Sequence, residues 1–241
     1  MKPPGIPTPL ALLALLIVWS PAARSQAAHA AIEQMPAALE TRFALSAVPP
    51  VMRGAATVYR LDLKHGYVIA QQGTSGVACL VQRNEWEAAD VRDDIYVPRC
   101  FDAAGARTYL QVLIDAEALR IQGMNADALK AEIMMRYERK RYKTPDRAGL
   151  SYMLSPLMRT RAPDGQVRTM SGPHVMFYAP NVTENDIGAA AAASLKYPFL
   201  TTEGVNEQTF IIQLMGDAER AAIEAAEREL LNDLCAYRDV L

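Results

Sequence analysis

The stretch TVYRLDLKHGYVIAQQGTSGVACLVQ, residues 57–82, decides the class of the fold. It contains three short runs rich in Val, Ile, Tyr and Leu, at residues 57–63, 67–71 and 77–82. Such residues favour β-strands, and the segments His65-Gly66 and 73–76 between the runs have the composition of turns. The stretch therefore predicts three strands in an antiparallel meander.

Helical patterns lie on both sides of these strands. Before the meander, apolar residues recur at intervals of three and four, with Pro36 in the first turn: Ile32, Met35, Leu39 and Phe43. After it, three helices are predicted: residues 108–122 ending at Gly123, a helix N-capped by Asn125, and a C-terminal helix opened by Asp217. The C-terminal helix has its apolar residues on one face: Ile223, Ala226, Leu230 and Leu234.

The second half of the chain carries further strand patterns. Residues 151–158 and 166–170 flank Pro163-Asp164-Gly165, which is typical of a turn, so we predict a hairpin there. Residues 174–178 and 209–214 are apolar runs that predict strands, and residues 183–186 resemble a capping box. This order of strands and helices indicates the α+β class, with a mostly antiparallel sheet and several packed helices.

The N-terminus has the pattern of a secretory signal peptide. Lys2 is followed by an apolar run from Leu10 to Trp19 and then by small residues, with cleavage expected near Ala27 or Ala30. A membrane anchor is the alternative, but the run has about ten residues where a spanning helix needs roughly 20. We expect export to the periplasm or the extracellular space, with the signal peptide at residues 1–27 and a single globular domain at residues 28–241.

The charge of the mature chain limits its partners. Removal of residues 1–27 takes away Lys2 and Arg24 and leaves 23 basic against 27 acidic residues, a net charge of −4. Nucleic-acid binding is typical of strongly basic domains, so no nucleic-acid partner is predicted. No later stretch is long enough to span a membrane, and we expect a soluble product after cleavage.

The three cysteines are interpreted in the light of export. Cys79 and Cys100 lie 21 positions apart, whereas Cys235 stands alone near the C-terminus. In an oxidising compartment this spacing favours one disulfide between Cys79 and Cys100 and a free thiol at Cys235. Two buried unpaired thiols are the alternative, and the spacing fits neither a CxxC redox pair nor a zinc site.

No motif of a common exported enzyme is present in the sequence. It lacks G-x-S-x-G, S-x-x-K with K-T-G, and H-E-x-x-H, and it also lacks the glycine-rich motifs of nucleotide binding. After loss of His29, only His65 and His174 remain, and His65 has the position of an exposed turn residue. The sequence therefore predicts no metal, no cofactor and no catalytic residue, and it leaves open whether the protein is an enzyme.

The strand at residues 174–178 carries the one candidate ligand face. Alternation along a strand places His174, Met176 and Tyr178 on one face and Val175 and Phe177 on the other. An imidazole, a thioether and a phenol could together line a surface that contacts a ligand. The alternative is a half-buried strand with His174 at its solvent-facing end.

A second segment of interest is basic and runs from Arg136 to Lys143. It mixes cations with two tyrosines, a composition that can contact phosphates, bases or an anionic membrane surface. The alternative is a solvated helix C-terminus, where basic residues match the helix dipole.

Three segments resemble an uncharacterised family of exported bacterial proteins. They are GTSGVACLVQR at residues 73–83, Cys100-Phe101-Asp102-Ala103, and PHVMFYAPNVTENDIG at residues 173–188. The resemblance implies export and a bacterial source. It transfers no activity and no catalytic residue.

Two functional hypotheses follow. The first is a non-catalytic exported module that binds a small ligand or a cell-envelope partner. The second is a cell-envelope hydrolase or other enzyme that uses His174, Tyr178 and an acid such as Asp186 or Glu203. A pocket beside His174 would favour the enzyme, whereas a flat or filled surface there would favour the binding module.

Overall fold

An eight-stranded, mostly antiparallel sheet organises the fold in the computed structural model, which describes residues 32–162, 164–188, 197–201 and 209–241. The strands are β1 (Thr57–Asp62), β2 (Gly66–Gln71), β3 (Ala78–Gln82), β4 (Val97–Phe101), β5 (Leu150–Met153), β6 (Met158–Arg161), β7 (Val167–Met170), β8 (His174–Tyr178), β9 (Phe199–Thr201) and β10 (Phe210–Leu214). The order in the large sheet is β2-β1-β3-β4-β5-β8-β10-β9, and β6 and β7 form a separate hairpin. The α+β prediction is confirmed.

Helices precede, follow and separate these strands. They are α1 (Ala37–Leu45), α2 (Pro50–Arg53), α3 (Ala103–Ala106), α4 (Tyr109–Ile121), α5 (Ala126–Glu138), α6 (Glu184–Ile187), α7 (Asp217–Ala226) and α8 (Arg228–Tyr237), with one 3-10 turn at Trp86–Ala88. No helix within the described ranges is long and apolar enough to cross a membrane. The predicted signal peptide and its cleavage sites lie outside the described residues.

The core has two parts, one on each face of the sheet. Residues of α1 and α8, such as Phe43 and Leu234, pack with Val58 and Cys100 of the strands. Residues of α4 and α5 pack instead with the opposite-facing strand residues, which include Leu80 and Phe101. Because Cys100 and Phe101 are neighbours in β4, this strand contributes to both parts of the core.

The predicted meander is wrong in one pairing. β1 and β2 are antiparallel, but β3 pairs with the other side of β1 and runs parallel to it. The connection from β2 crosses the start of β1, where the amide of Thr74 donates to the carbonyl of Ala55 over 2.9 Å. This crossing requires a glycine, because a Cβ at Gly73 would lie 2.3 Å from the Ala55 oxygen.

Two further segment predictions need correction. The hairpin has β6 and β7 as its arms, whereas residues 150–153, which we placed largely in the first arm, form β5 of the large sheet. The single C-terminal helix is two helices, interrupted at Glu227. Leu230 and Leu234 of α8 are buried, but α7 buries none of its residues, so only the second part of the predicted apolar face packs in the core.

Most of the predicted helix signals are confirmed, but the first helix begins later than predicted: α1 starts after Pro36, so Ile32 and Met35 lie outside it. Gly123 has the left-handed conformation after α4 with φ +91°. The Asn125 side chain accepts a hydrogen bond from the Ala128 amide, and Thr183 and Asp186 form the capping box of α6. Local sequence therefore determines where these helices begin and end.

The predicted disulfide is confirmed. Cys79 and Cys100 are paired directly across β3 and β4, with their Cα atoms 4.0 Å apart. Cys235 is a free, exposed thiol. The cross-link therefore joins two central strands of the sheet.

Candidate functional site

The candidate ligand face of β8 lies on one face of the sheet, as the alternation predicts. His174, Met176 and Tyr178 are buried, whereas Phe177 on the opposite face is 44% exposed. The three side chains occupy different surroundings, however. Each therefore has to be judged on its own contacts.

His174 is not at a solvent-facing end of the strand, and this part of the prediction is wrong. Its side chain is buried, and its Nδ1 lies 2.7 Å from the carbonyl oxygen of Gly172. The pKa of His174 is lowered to about 4, mainly by burial and to a smaller extent by the positive charge of Arg99, while the hydrogen bond with Gly172 acts in the opposite direction. The imidazole is therefore neutral near pH 7, with Nδ1 donating to Gly172 and Nε2 left as an acceptor.

Tyr178 has its hydroxyl group committed to the protein itself. The oxygen lies 2.7 Å from the carbonyl of Leu150 and 3.0 Å from Oδ1 of Asp102. Burial raises the pKa of Tyr178, and the charge of Asp102 adds to the rise. Tyr178 is thus a protonated hydrogen-bond donor that holds β8 against its neighbours.

Asp102 is the centre of this arrangement, which we call the Asp102 junction (Asp102, Gly105, Gly149, Leu150 and Tyr178). Its Oδ1 caps α3 by accepting from the amides of Ala104 and Gly105, and its Oδ2 accepts from the Leu150 amide. The two glycines leave space for the side chains of Tyr178 and Asp102. A Cβ at Gly105 would lie 2.0 Å from the Tyr178 hydroxyl. A Cβ at Gly149 would lie 2.2 Å from Asp102 Oδ2, so the junction tolerates no side chain at either position.

Arg99 projects from β4 towards Met176, and its polar atoms have poor partners. One terminal nitrogen lies 3.4 Å from Gln82 Oε1 and the other 3.4 Å from the sulfur of Met176, a weak acceptor. The buried Nε has no hydrogen-bond partner. Within the described part of the chain, no carboxylate forms an ion pair with this guanidinium.

Aromatic rings replace the missing carboxylate only in part. The guanidinium carbon of Arg99 lies 5.4 Å from the ring centre of Phe101 and 5.4 Å from that of Phe210. A cation near an aromatic ring gains roughly 0.5 to 2 kcal/mol, less than desolvation of an ion costs. Burial accordingly lowers the pKa of Arg99.

Glu87 is a second ionisable group close to this cation. It lies in the 3-10 turn, and burial raises its pKa to about 6, while the charge of Arg99 acts in the opposite direction. Arg99 and Glu87 are both partly exposed to solvent. We use the name Arg99 recess for the group of neighbouring side chains Arg99, Gln82, Glu87, His174 and Met176.

Sequence reasoning missed Arg99 and Glu87. The feature of the sequence that could have revealed Arg99 is the alternation of side chains along β4. It puts Arg99 on the same face as Val97 and Phe101 and opposite to Cys100. A cation between two core residues is unusual, because an arginine is rarely buried without a partner. The neighbours of Arg99 across the sheet depend on the topology and could not be read from β4 alone.

The other residues considered from sequence lie elsewhere. His65 is exposed in the turn between β1 and β2, and Asp186 is occupied in the capping box. Glu203 and Pro163 lie outside the described residues. In the basic segment, Arg136 forms ion pairs with Asp115 and Glu132, so this cation is occupied within the protein.

Neither a metal site among the described residues nor a similar known protein indicates a function. In the described ranges, no group of three or more His, Cys, Asp or Glu side chains could hold a metal ion. No protein-family model matches the chain, and the searches of curated proteins and of solved structures found no similar protein. Only the geometry of the described residues therefore bears on function.

Proposed function

We propose that this protein is an exported, non-catalytic module that binds a small organic anion in the Arg99 recess. One observation carries the proposal: the Arg99 guanidinium is desolvated and has no carboxylate partner among the described residues. A desolvated cation without a counter-ion lowers stability. A bound carboxylate would supply that counter-ion and form charge-assisted hydrogen bonds with the guanidinium.

Apolar side chains surround the Arg99 guanidinium inside the protein. Phe101, Met176 and Phe210 are buried beside it and give it aromatic and thioether contacts. Low-dielectric surroundings strengthen the attraction between opposite charges. A small carboxylate, aliphatic or aromatic, would therefore be a suitable counter-ion for Arg99.

The state of His174 supports binding rather than catalysis. A general base works best when its pKa lies near the working pH, whereas the pKa of His174 is about 4. Its neutral ring keeps one acceptor nitrogen, because Nδ1 donates to Gly172. That nitrogen, Nε2, can accept a hydrogen bond from a donor group of the ligand.

Export is supported by two independent features. The first thirty residues have the pattern of a secretory signal, and the Cys79–Cys100 disulfide is of the kind that persists in oxidising compartments. The resemblance to exported bacterial proteins agrees with both. A cell-envelope partner is the alternative ligand, but a single, partly exposed cation suits a small anion better than an extended interface does.

The test is a thermal-shift screen of the purified protein against pairs of ligands. Each pair contains a carboxylate, such as benzoate or hexanoate, and the matching neutral amide. A ligand at 100 times its Kd adds about 2.7 kcal/mol of stability, which raises Tm by about 5 to 10 °C for a chain of this size. We expect the rise for carboxylates and not for amides.

Arg99→Met and Arg228→Met form a matched pair of variants for this screen. Both remove one positive charge, but Arg228 is exposed on α8 and distant in sequence from the recess. The Tm rise should disappear in Arg99→Met and persist in Arg228→Met. An equal rise in both variants would show that the anion binds elsewhere.

A second candidate function rests on Glu87. A carboxyl group whose pKa is raised to about 6 by burial can act as a general acid near neutral pH. An enzyme of this type would hydrolyse chromogenic esters or glycosides best below pH 6 and would lose activity in Glu87→Gln. Absence of turnover in the unsubstituted protein with both substrate types rejects this candidate.

A further inference from the structure

A cavity lies between α3 and the chain that follows α5, away from the residues of the Arg99 recess. Its volume is about 390 Å³, within the range of small-molecule sites. Seven residues line it: Ala104, Arg107, Thr108, Lys143, Thr144, Pro145 and Asp146. We call it the Lys143 pocket, and it shares no residue with the Arg99 recess.

Two cations from different segments converge on the Lys143 pocket. Arg107 directly follows α3, and Lys143 is the last residue of the basic segment. Neither forms an ion pair or side-chain hydrogen bond with any other described residue. Arg136 and Arg141 of the same basic segment, by contrast, are engaged with Asp115.

The start of α4 adds to the positive potential. Thr108 precedes this 13-residue helix, but its hydroxyl donates to the carbonyl of Ala104 and does not cap the helix amides. Amides at a helix N-terminus carry a partial positive charge, which favours a nearby anion. This effect reinforces the two cations.

We propose that the Lys143 pocket binds a phosphate monoester of a polyol, such as a sugar phosphate. A phosphate group carries about −1.5 to −2 charges at pH 7 and can contact Arg107 and Lys143 at the same time, while Asp146 lowers the net charge of the lining to +1. Asp146 and Thr144 are the remaining polar residues of the pocket. Their oxygen atoms would accept hydrogen bonds from hydroxyl groups of the polyol, while the phosphate contacts Arg107 and Lys143.

Isothermal titration of the purified protein with inorganic phosphate and with glycerol phosphate tests the proposal. Both should bind, glycerol phosphate more tightly, and glycerol alone should not bind. Removal of either cation, in Arg107→Met or Lys143→Met, should weaken both by roughly tenfold or more, because hydrogen bonds to charged groups contribute at that level. Arg139→Met removes an exposed charge of the same segment from outside the pocket and should change neither affinity by more than about twofold.

Asp146→Ala tests the polyol part separately. It removes the carboxylate oxygens and a negative charge near the phosphate, so inorganic phosphate should bind at least as tightly as before, while glycerol phosphate loses its advantage. The proposal is overturned if Arg107→Met and Lys143→Met bind phosphate like the unsubstituted protein, or if Arg139→Met weakens binding equally. Arg99→Met should leave phosphate binding unchanged, so this result is independent of the function proposed for the Arg99 recess.

Discussion

Arg120 and Arg99 are two arginines that the fold takes away from water, and their surroundings differ sharply. Arg120 of α4 donates to the carbonyl oxygens of Arg83, Val91 and Arg92 and to the buried carboxylate of Glu117. Arg99 has one long contact to an amide oxygen, one to a sulfur atom, and an Nε without a partner.

The difference separates a structural cation from a cation available to a ligand. Arg120 ties α4 to the loop between β3 and β4, and each of its contacts is satisfied within the protein. The fold supplies no such set of acceptors for Arg99. Burial alone would not distinguish the two residues, whereas their hydrogen-bond partners do.

The largest effect should come from Arg120→Met. The substitution leaves the carboxylate of Glu117 buried without its counter-ion, and loss of one partner of a buried pair costs about 3 to 5 kcal/mol. Urea denaturation at pH 7 measures this as a fall in the unfolding free energy. A variant within 1 kcal/mol of the unsubstituted protein would contradict the structural role of Arg120.

The pH dependence of the unfolding free energy should contain a measurable contribution from His174. Its pKa is about 4 in the folded protein and about 6.5 in an unfolded chain, so the unfolded state binds more protons between these values. Stability is therefore lost as the pH falls from 6.5 towards 4, by about 2 to 3 kcal/mol between pH 7.5 and pH 4.5.

His174→Gln should lack this part of the pH dependence. Glu87 has the opposite shift, with a folded pKa of about 6, but its contribution is common to both proteins and cancels in the comparison. Urea titrations of both proteins at the two pH values give the difference. Parallel pH profiles would mean that His174 does not titrate from a buried state.

Tyr178→Phe should have a smaller effect, about 1 kcal/mol. The change removes a hydroxyl that contacts Leu150 and Asp102, but Asp102 keeps its backbone donors. Carboxylate binding at the Arg99 recess should be retained, because the Tyr178 hydroxyl faces the Asp102 junction. Loss of binding with unchanged stability would instead assign Tyr178 to the ligand site.

The smallest effect on stability is expected for Arg99→Met, less than about 1 kcal/mol in either direction. Methionine keeps an apolar side chain beside Phe101 and Phe210 and removes a charge that has no carboxylate partner. Thermal unfolding without ligand measures the change. A loss as large as that of Arg120→Met would place Arg99 among the structural cations and remove the basis of the proposed function.

The sequence was sufficient for features that local chemistry determines. The strand at residues 174–178, the cap at Asn125, the turn at Gly123 and the Cys79–Cys100 bridge were all predicted correctly. Each depends on alternation, a cap or spacing within a short stretch of chain. Such signals do not depend on which strands become neighbours.

Features that depend on strand order were not predictable from the sequence. The parallel pairing of β1 with β3 follows from a connection that crosses the start of β1 at Gly73, and turn composition does not reveal that crossing. The Arg99 recess unites β3, β4 and β8, which are distant in sequence. Alternation identified the face of β8 but could not show that Arg99 lies beside it.

The Asp102 junction has a consequence for the kinetics of folding. It joins Asp102 to Leu150 and to Tyr178, 48 and 76 positions away, so the entropy of closing long loops must be lost before its bonds form. We infer that the junction forms after the transition state, whereas local contacts such as the β1–β2 hairpin form earlier. In stopped-flow experiments, Tyr178→Phe should then accelerate unfolding and leave the refolding rate nearly unchanged.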